Sequence, residues 1–236
     1  IYCSGLTMCE ISNNTITANY GSTARIGNGG GIHGSNAVIN ISGNLITGNT
    51  GSSYAGSGGG LYIYRGTVEI TGNSITYNVA TRNYRGGSGG GVYLSGSGTH
   101  LVHDNPAISY NNCSTGGGGS GGGIFCESGY TEIIRNNIEH NTCAPAGAAG
   151  NGGGIFMCTY NSNPIRENVI RYNIGSVSGL GKGGGIYNST SPVIERNVIA
   201  HNIASQAGEG YGGGCFFTNT GGTLLANNTL YRKANT

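Results

Sequence analysis

The sequence predicts an all-β parallel β-helix of about eight coils, and three observations lead there. Seven Gly-Gly-Gly triplets begin at Gly29, Gly58, Gly89, Gly121, Gly152, Gly183 and Gly212, at intervals of 29, 31, 32, 31, 31 and 29 residues. A second motif, NxIxxN, follows each triplet after 14 to 16 residues. No stretch carries the 3.6-residue period of an amphipathic helix, and helix interiors do not tolerate this much glycine. A fixed period of this length is the mark of a solenoid, whose units bury their apolar face only by stacking on one another.

Each repeat offers three short strand signals. The first follows the triplet, where Ile32, Leu61, Val92, Ile124, Ile155, Ile186 and Cys215 align, with Ile1 in that place in a partial first repeat. The second precedes the motif, at Ile11, Ile41, Ile70, Val102, Ile133, Ile165, Ile194 and Leu225. The third lies between the two asparagines. Short β-branched runs bounded by Gly and Asn read as strands, and stacked equivalents would sit about 4.8 Å apart. The segment between the third strand and the next triplet reads as a Gly-rich loop.

The motif gives two asparagine columns. Asn14, Asn44, Asn73, Asn105, Asn136, Asn168, Asn197 and Asn228 form one; Asn19, Asn49, Asn78, Asn111, Asn141, Asn173 and Asn202 form the other. The copy from Asn105 to Asn111 has one extra residue beside Pro106, and the last copy ends in Lys233. Asn tolerates the left-handed backbone of a sharp corner, and its amide can bond to the amide one rung away. Both columns are therefore expected to be structural ladders.

Composition narrows the function. Charged residues are 8 % of the chain, the net charge is +2 and no basic cluster occurs, so neither nucleic acid nor an anionic membrane surface is an expected partner. No apolar run approaches the roughly 20 residues of a membrane span. The unbroken repeat predicts one domain over residues 1–236, uncapped at both ends and read as a segment of a larger chain or polymer.

Gly183-Gly-Gly-Ile-Tyr187 followed by Ser191-Pro-Val-Ile-Glu-Arg-Asn-Val-Ile-Ala-His-Asn202 resembles the right-handed parallel β-helix repeats of the pectate-lyase-like superfamily, in the GGGIY form found in secreted and surface bacterial proteins. The resemblance spans the whole chain. It implies a right-handed coil, in keeping with the bias of parallel crossovers, and it covers polysaccharide lyases and hydrolases as well as adhesins and tailspikes. The lyases of that superfamily hold Ca²⁺ through clustered Asp and its hydrolases use several Asp, whereas this chain has a single aspartate, Asp104. No catalytic residue, metal ligand or cofactor is assigned on that basis.

Placed in register, Arg135, Glu167 and Arg196 alternate in charge, Arg166 meets Glu195 and Glu139 meets Arg171, which reads as surface ion-pair ladders. His140 and His201 share a column with Tyr77, Tyr110 and Tyr172, and His100 and His103 gather near Asp104 in the irregular coil. A continuous ring column, Tyr2, His33, Tyr62, Tyr93, Phe125, Phe156, Tyr187 and Phe216, points outward by strand alternation. It is the candidate contact for a glycan or another subunit, unless the Gly-rich loops fold over it. Cys113 and Cys143 occupy equivalent places on adjacent coils, and Cys126 and Cys158 lie one residue out of register; both pairs are candidate disulfides. Cys215 replaces a core Ile and reads as a buried thiol.

These features predict a non-catalytic extracellular or cell-surface β-helix, structural or adhesive, with itself (end to end or laterally), another surface protein or a polysaccharide as partner. The alternative is a carbohydrate-active or glycan-binding protein; as an enzyme it would be a polysaccharide lyase or glycoside hydrolase.

Overall fold

The computed structural model describes residues 1–5, 8–83, 85–145, 147–158, 163–218 and 222–231. Over these residues the chain is a parallel β-solenoid with no helix. Lys233, at the end of the last motif, lies outside them. Four sheets run along the rod, one of 14 strands, one of eight and two of seven. Sheets 1 and 2 are the 14- and eight-stranded ones; sheets 3 and 4 have seven strands each. That makes about seven turns rather than eight, because the segment enters and leaves part-way round.

Each turn has five strand segments rather than the expected three. In one turn they are Val92–Ser95, Thr99–His103, Ala107–Ser109, Asn112–Ser114 and Gly119–Ser120. The first two belong to sheet 1, where earlier turns fuse them into the continuous strands Ile32–Ser42 and Leu61–Thr71. The third builds sheet 2. The last two build sheets 3 and 4, in the stretch expected to be a loop. They escape sequence reading because they are two or three residues long and consist largely of Gly, Ser, Thr and Ala.

The apolar columns stack in the predicted register, Leu61 on Ile32 and under Val92, Ile70 on Ile41 and under Val102, Ile75 on Ile46 and under Ile108. They meet in one continuous core running the length of the rod. Sheets 3 and 4 meet differently, through side chains small enough for backbone to touch backbone. A Cβ on Gly56 would lie 2.7 Å from the Ala80 carbonyl oxygen, and one on Gly119 would lie 2.7 Å from Cys113 Sγ. Hydroxyls close the turns between these two sheets. Ser176 Oγ accepts from Gly179 N and donates to the Ala148 carbonyl one rung away, at 2.9 and 2.8 Å.

The corners differ from expectation in one respect. The left-handed residue is the one before each Asn, not the Asn itself. Asp104, Arg135, Glu167 and Arg196 at the first corner, and Tyr77, Tyr110, His140, Tyr172 and His201 at the second, have φ between 52° and 58°. This places the Asn side chain inside, where it is buried. Asn136 is representative: its Nδ2 donates to Asn168 Oδ1 at 3.0 Å and to the Val102 and Ile134 carbonyls, while its Oδ1 accepts from Asn105 N and Nδ2. The amide thus satisfies backbone groups of its own coil and the one before it and joins the side-chain amide of the next, and it holds the preceding residue in a conformation that costs a non-glycine residue about 1 kcal/mol.

Where the two halves of sheet 1 bend toward each other, the inner column changes character. Cys9, Ile39 and Val68 give way to His100 and Thr131. His100 is fully buried, its Nδ1 lies 3.1 Å from Thr131 Oγ1, and its Nε2 has no partner. Burial lowers its pKa from 6.5 to about 4. Between those two values the unfolded chain holds a proton that the folded protein refuses. Stability therefore falls as pH drops from about 6.5 to about 4, by up to about 3 kcal/mol, and this contribution is level below that. His100→Val, which copies Val68 one rung away, is expected to remove the slope in that window; denaturant titrations at pH 7, 5 and 4 measure it.

Candidate functional site

Outward-facing residues of sheet 1 form two parallel columns beside the bend. The first is the ring column. Its members stack from Tyr2 to Phe216 with centroids 4.7 to 5.5 Å apart, and from Tyr62 to Tyr187 neighbouring planes lie within 9° of parallel. Tyr2 is exposed and Phe125 is buried. The other rings are half-buried, and residues of sheet 4 strands reach two of them: His33 Nδ1 lies 3.2 Å from the Asn28 carbonyl oxygen, and the Lys182 ammonium sits 5.5 Å from the Phe216 centroid.

The second column lies two residues further along the same strands, with Tyr64 in register with Ser95. Here a groove of about 880 Å³ opens along the rod, lined by Tyr64, Arg65, Ser95, Glu127, Cys158 and Thr190 together with the Ser and Gly residues of the bends. Glu127 is its fixed centre. Its Oε2 accepts from Tyr93 Oη at 2.7 Å and from Ser95 Oγ at 3.0 Å, which ties the ring column to the groove. Burial and then the bond to Glu127 push the Tyr93 phenol well above its ordinary pKa, so it stays a donor. The Arg65 guanidinium lies 4.9 Å from the Tyr64 ring centroid.

Burial, and next the nearby Glu127, push the Cys158 thiol up to about 11, so it is not an activated nucleophile at neutral pH. Glu127 is the one acid among the described residues of the groove lining. Asp104 and His103 belong to a different corner. Asp104 accepts from Arg135 Nε and Nη2 at 2.6 and 2.8 Å and lies 2.6 Å from His103 Nδ1, while His103 Nε2 lies 2.9 Å from Glu69 Oε1. Hydrogen bonds from Arg135, then His103, hold the Asp104 carboxyl well below the usual carboxylate range. The ladder continues through Glu167 to Arg196, with Arg166 on Glu195 and Arg171 on Glu139 at 2.7 and 2.9 Å. These are the paired columns expected from register.

The cysteines correct the sequence reading. Cys113, Cys143, Cys126 and Cys158 are free thiols, and the disulfide joins Cys3 to Cys9. Cys3 and Cys9 face each other across the bend of sheet 1 within a single coil, a pairing that alignment between coils does not reveal. Cys113 donates instead to the Cys143 carbonyl at 2.5 Å, and burial raises its pKa well above the ordinary thiol value. Cys215 is only partly covered, and burial moves its thiol up to about 12.

A second ring stack stands at the other corner. Tyr77, Tyr110, His140, Tyr172 and His201 step 4.8 to 4.9 Å with planes 1 to 10° apart. The sequence placed these residues in one column, but their stacking follows from the left-handed backbone, which projects each ring from its corner. The groove itself was missed for a simple reason. Its column, Tyr64, Ser95, Glu127, Cys158 and Ser189, mixes an aromatic, an acid, a thiol and two separated serines, so no residue type recurs on successive coils to mark it. Among the described residues there is no cluster of three or more His, Cys, Asp or Glu suited to a metal ion, and no helix is long and apolar enough to cross a membrane. No protein-family model, curated protein or solved structure matches the chain.

Proposed function

We propose that this chain is a non-catalytic, extracellular adhesive β-solenoid that offers a contact line parallel to its axis. The observation that carries this reading is the groove beside the ring column, in which Tyr93, Ser95 and Glu127 are held together by hydrogen bonds. Its donors and acceptors are fixed before any partner arrives, which lowers the cost of binding. A right-handed coil of the pectate-lyase-like type, suggested by the GGGIY and NxIxxN motifs, and a disulfide suited to an oxidising compartment are consistent with a cell-surface role.

The groove also favours a definite partner, an extended polysaccharide. Stacked rings on one side, a guanidinium and a carboxylate within, and a series of Ser and Thr hydroxyls form the mixture of apolar faces and hydrogen-bonding groups that sugars present in complement. Tyr62→Ala with Tyr93→Ala is expected to weaken retention on an immobilised polysaccharide by about tenfold or more, as does loss of an aromatic hot spot. Glu127→Gln, which preserves the shape of the groove, serves as the second variant. Retention unchanged in both would overturn the glycan reading. A screen of acidic and neutral polysaccharides with and without Ca²⁺ is expected to yield no cleavage product, and a product from any of them would overturn the non-catalytic reading.

A further inference from the structure

Tyr77 and Tyr110 hold the left-handed corner position on consecutive coils. Their ring centroids are 4.9 Å apart, the planes are 5° from parallel, and the residues are 59 % and 45 % exposed. Beyond Tyr110 the stack alternates, so that Tyr172 lies between His140 and His201 and touches no other phenol of the column. The other stacked tyrosine pair, Tyr62 and Tyr93, is half-buried, and the Tyr93 hydroxyl is committed to Glu127. Tyr77 and Tyr110 are therefore the stacked phenols of this surface that an oxidant in solution can reach together.

We propose that Tyr77 and Tyr110 are an oxidative modification site, coupled as a dityrosine by a haem peroxidase with hydrogen peroxide. Each phenol gives up one electron and one proton. The peroxide takes up both electrons and both protons and leaves as two waters. The two phenoxyl radicals join through a carbon–carbon bond between ring positions ortho to the oxygens, and the hydrogens on those two carbons move to the oxygens as the rings regain aromaticity. The net change is the loss of two hydrogens from the chain. Register does the rest: two phenols fixed on neighbouring rungs meet at an effective concentration that separate molecules in dilute solution do not reach. The product staples one coil to the next on the outside of the rod. It stands apart from the groove and does not depend on what the groove binds.

The test treats the full chain, at low concentration, with a haem peroxidase and hydrogen peroxide, and in parallel with a photo-activated ruthenium oxidant that needs no enzyme docking. The expected product is a monomer lighter by two hydrogens, with dityrosine fluorescence and a cross-linked peptide joining residues 77 and 110. Tyr110→Phe, which keeps a ring in the stack, is expected to lose this product. His140→Tyr, which extends the run of phenols, is expected to add links from position 140. A cross-link that persists in Tyr110→Phe, links found mainly between molecules, or no link with either oxidant would each overturn the proposal.

Discussion

Asn141→Ala is expected to destabilise the rod by about 3 to 5 kcal/mol, well beyond an ordinary surface substitution. The side chain is fully buried. Its Oδ1 accepts from Asn111 N at 3.0 Å and Asn111 Nδ2 at 3.0 Å, and its Nδ2 donates to the Ile108 carbonyl at 2.8 Å and to Asn173 Oδ1 at 3.0 Å. Truncation removes the Asn141 partner of a backbone N–H, an amide N–H and a carbonyl on the preceding coil, each costing about 1 to 3 kcal/mol when water cannot replace it. It also removes the constraint on His140, whose φ is 54°. Asn141→Asp separates the two halves of the role: a carboxylate still accepts from Asn111 but faces Asn173 Oδ1 and the Ile108 carbonyl as an acceptor. Urea denaturation of the three proteins gives the ordering, wild type above both variants. An alanine variant within about 1 kcal/mol of wild type would show that the ladder is not a principal support.

Gly122→Ala is expected to do more damage still, preventing cooperative folding or costing more than about 4 kcal/mol. A Cβ there would press on the Gly153 carbonyl oxygen and stand 2.8 Å from the Thr142 carbonyl, and one on Gly123 would stand 2.7 Å from the Gly154 oxygen and 3.0 Å from Asn141 Nδ2. None of these neighbours can retreat, because the triplets are themselves rungs: Gly122 N donates to the Gly152 oxygen, Gly123 N to the Gly153 oxygen and Ile124 N to the Gly154 oxygen, at 2.9 to 3.1 Å. Gly48→Ala provides the contrast. Its φ is 66°, nothing lies nearer than 4.0 Å, and the equivalent position one coil earlier is Ala18, so only about 1 kcal/mol is expected. Thermal melts of the two variants side by side check the difference. Equal losses would mean that conformation rather than contact explains the triplets.

The triplet shows both the reach and the limit of sequence reading here. Its spacing sets the coil length, and Ile32, Ile41 and Ile46 show by their recurrence which residues enter the core. Strand signals of that kind come from β-branched side chains that fill space. Sheet 3 carries at most one large β-branched residue per strand, as at Val79, Ile174 and Ile203, and sheet 4 is nearly devoid of them. Gly56, Gly87 and Gly119 become strand residues because neighbouring turns supply hydrogen-bonding partners at the right height, which is information held in the stack and not in the segment. The ion pairs were legible for the opposite reason, since Glu139 and Arg171 carry complementary charge at a position fixed by the repeat. The groove was not, because Tyr64, Ser95 and Glu127 hold equivalent places on successive coils but share no residue type, and Arg65 stands one place beside them. They converge where sheet 1 bends, a feature of three-dimensional shape with no counterpart in the period.

The residue ahead of each asparagine now takes on another meaning. Its backbone is fixed by the amide that follows, and its side chain projects from the corner, so its chemical type is nearly independent of the fold. One corner has been filled with acids and bases and the other with rings, without change to the coil beneath. The rod is in this sense a printed ruler. Its graduations are asparagines set by hydrogen bonding, and beside each graduation is a blank on which evolution, or a designer, can write a charge or a ring at molecular pitch without redrawing the scale.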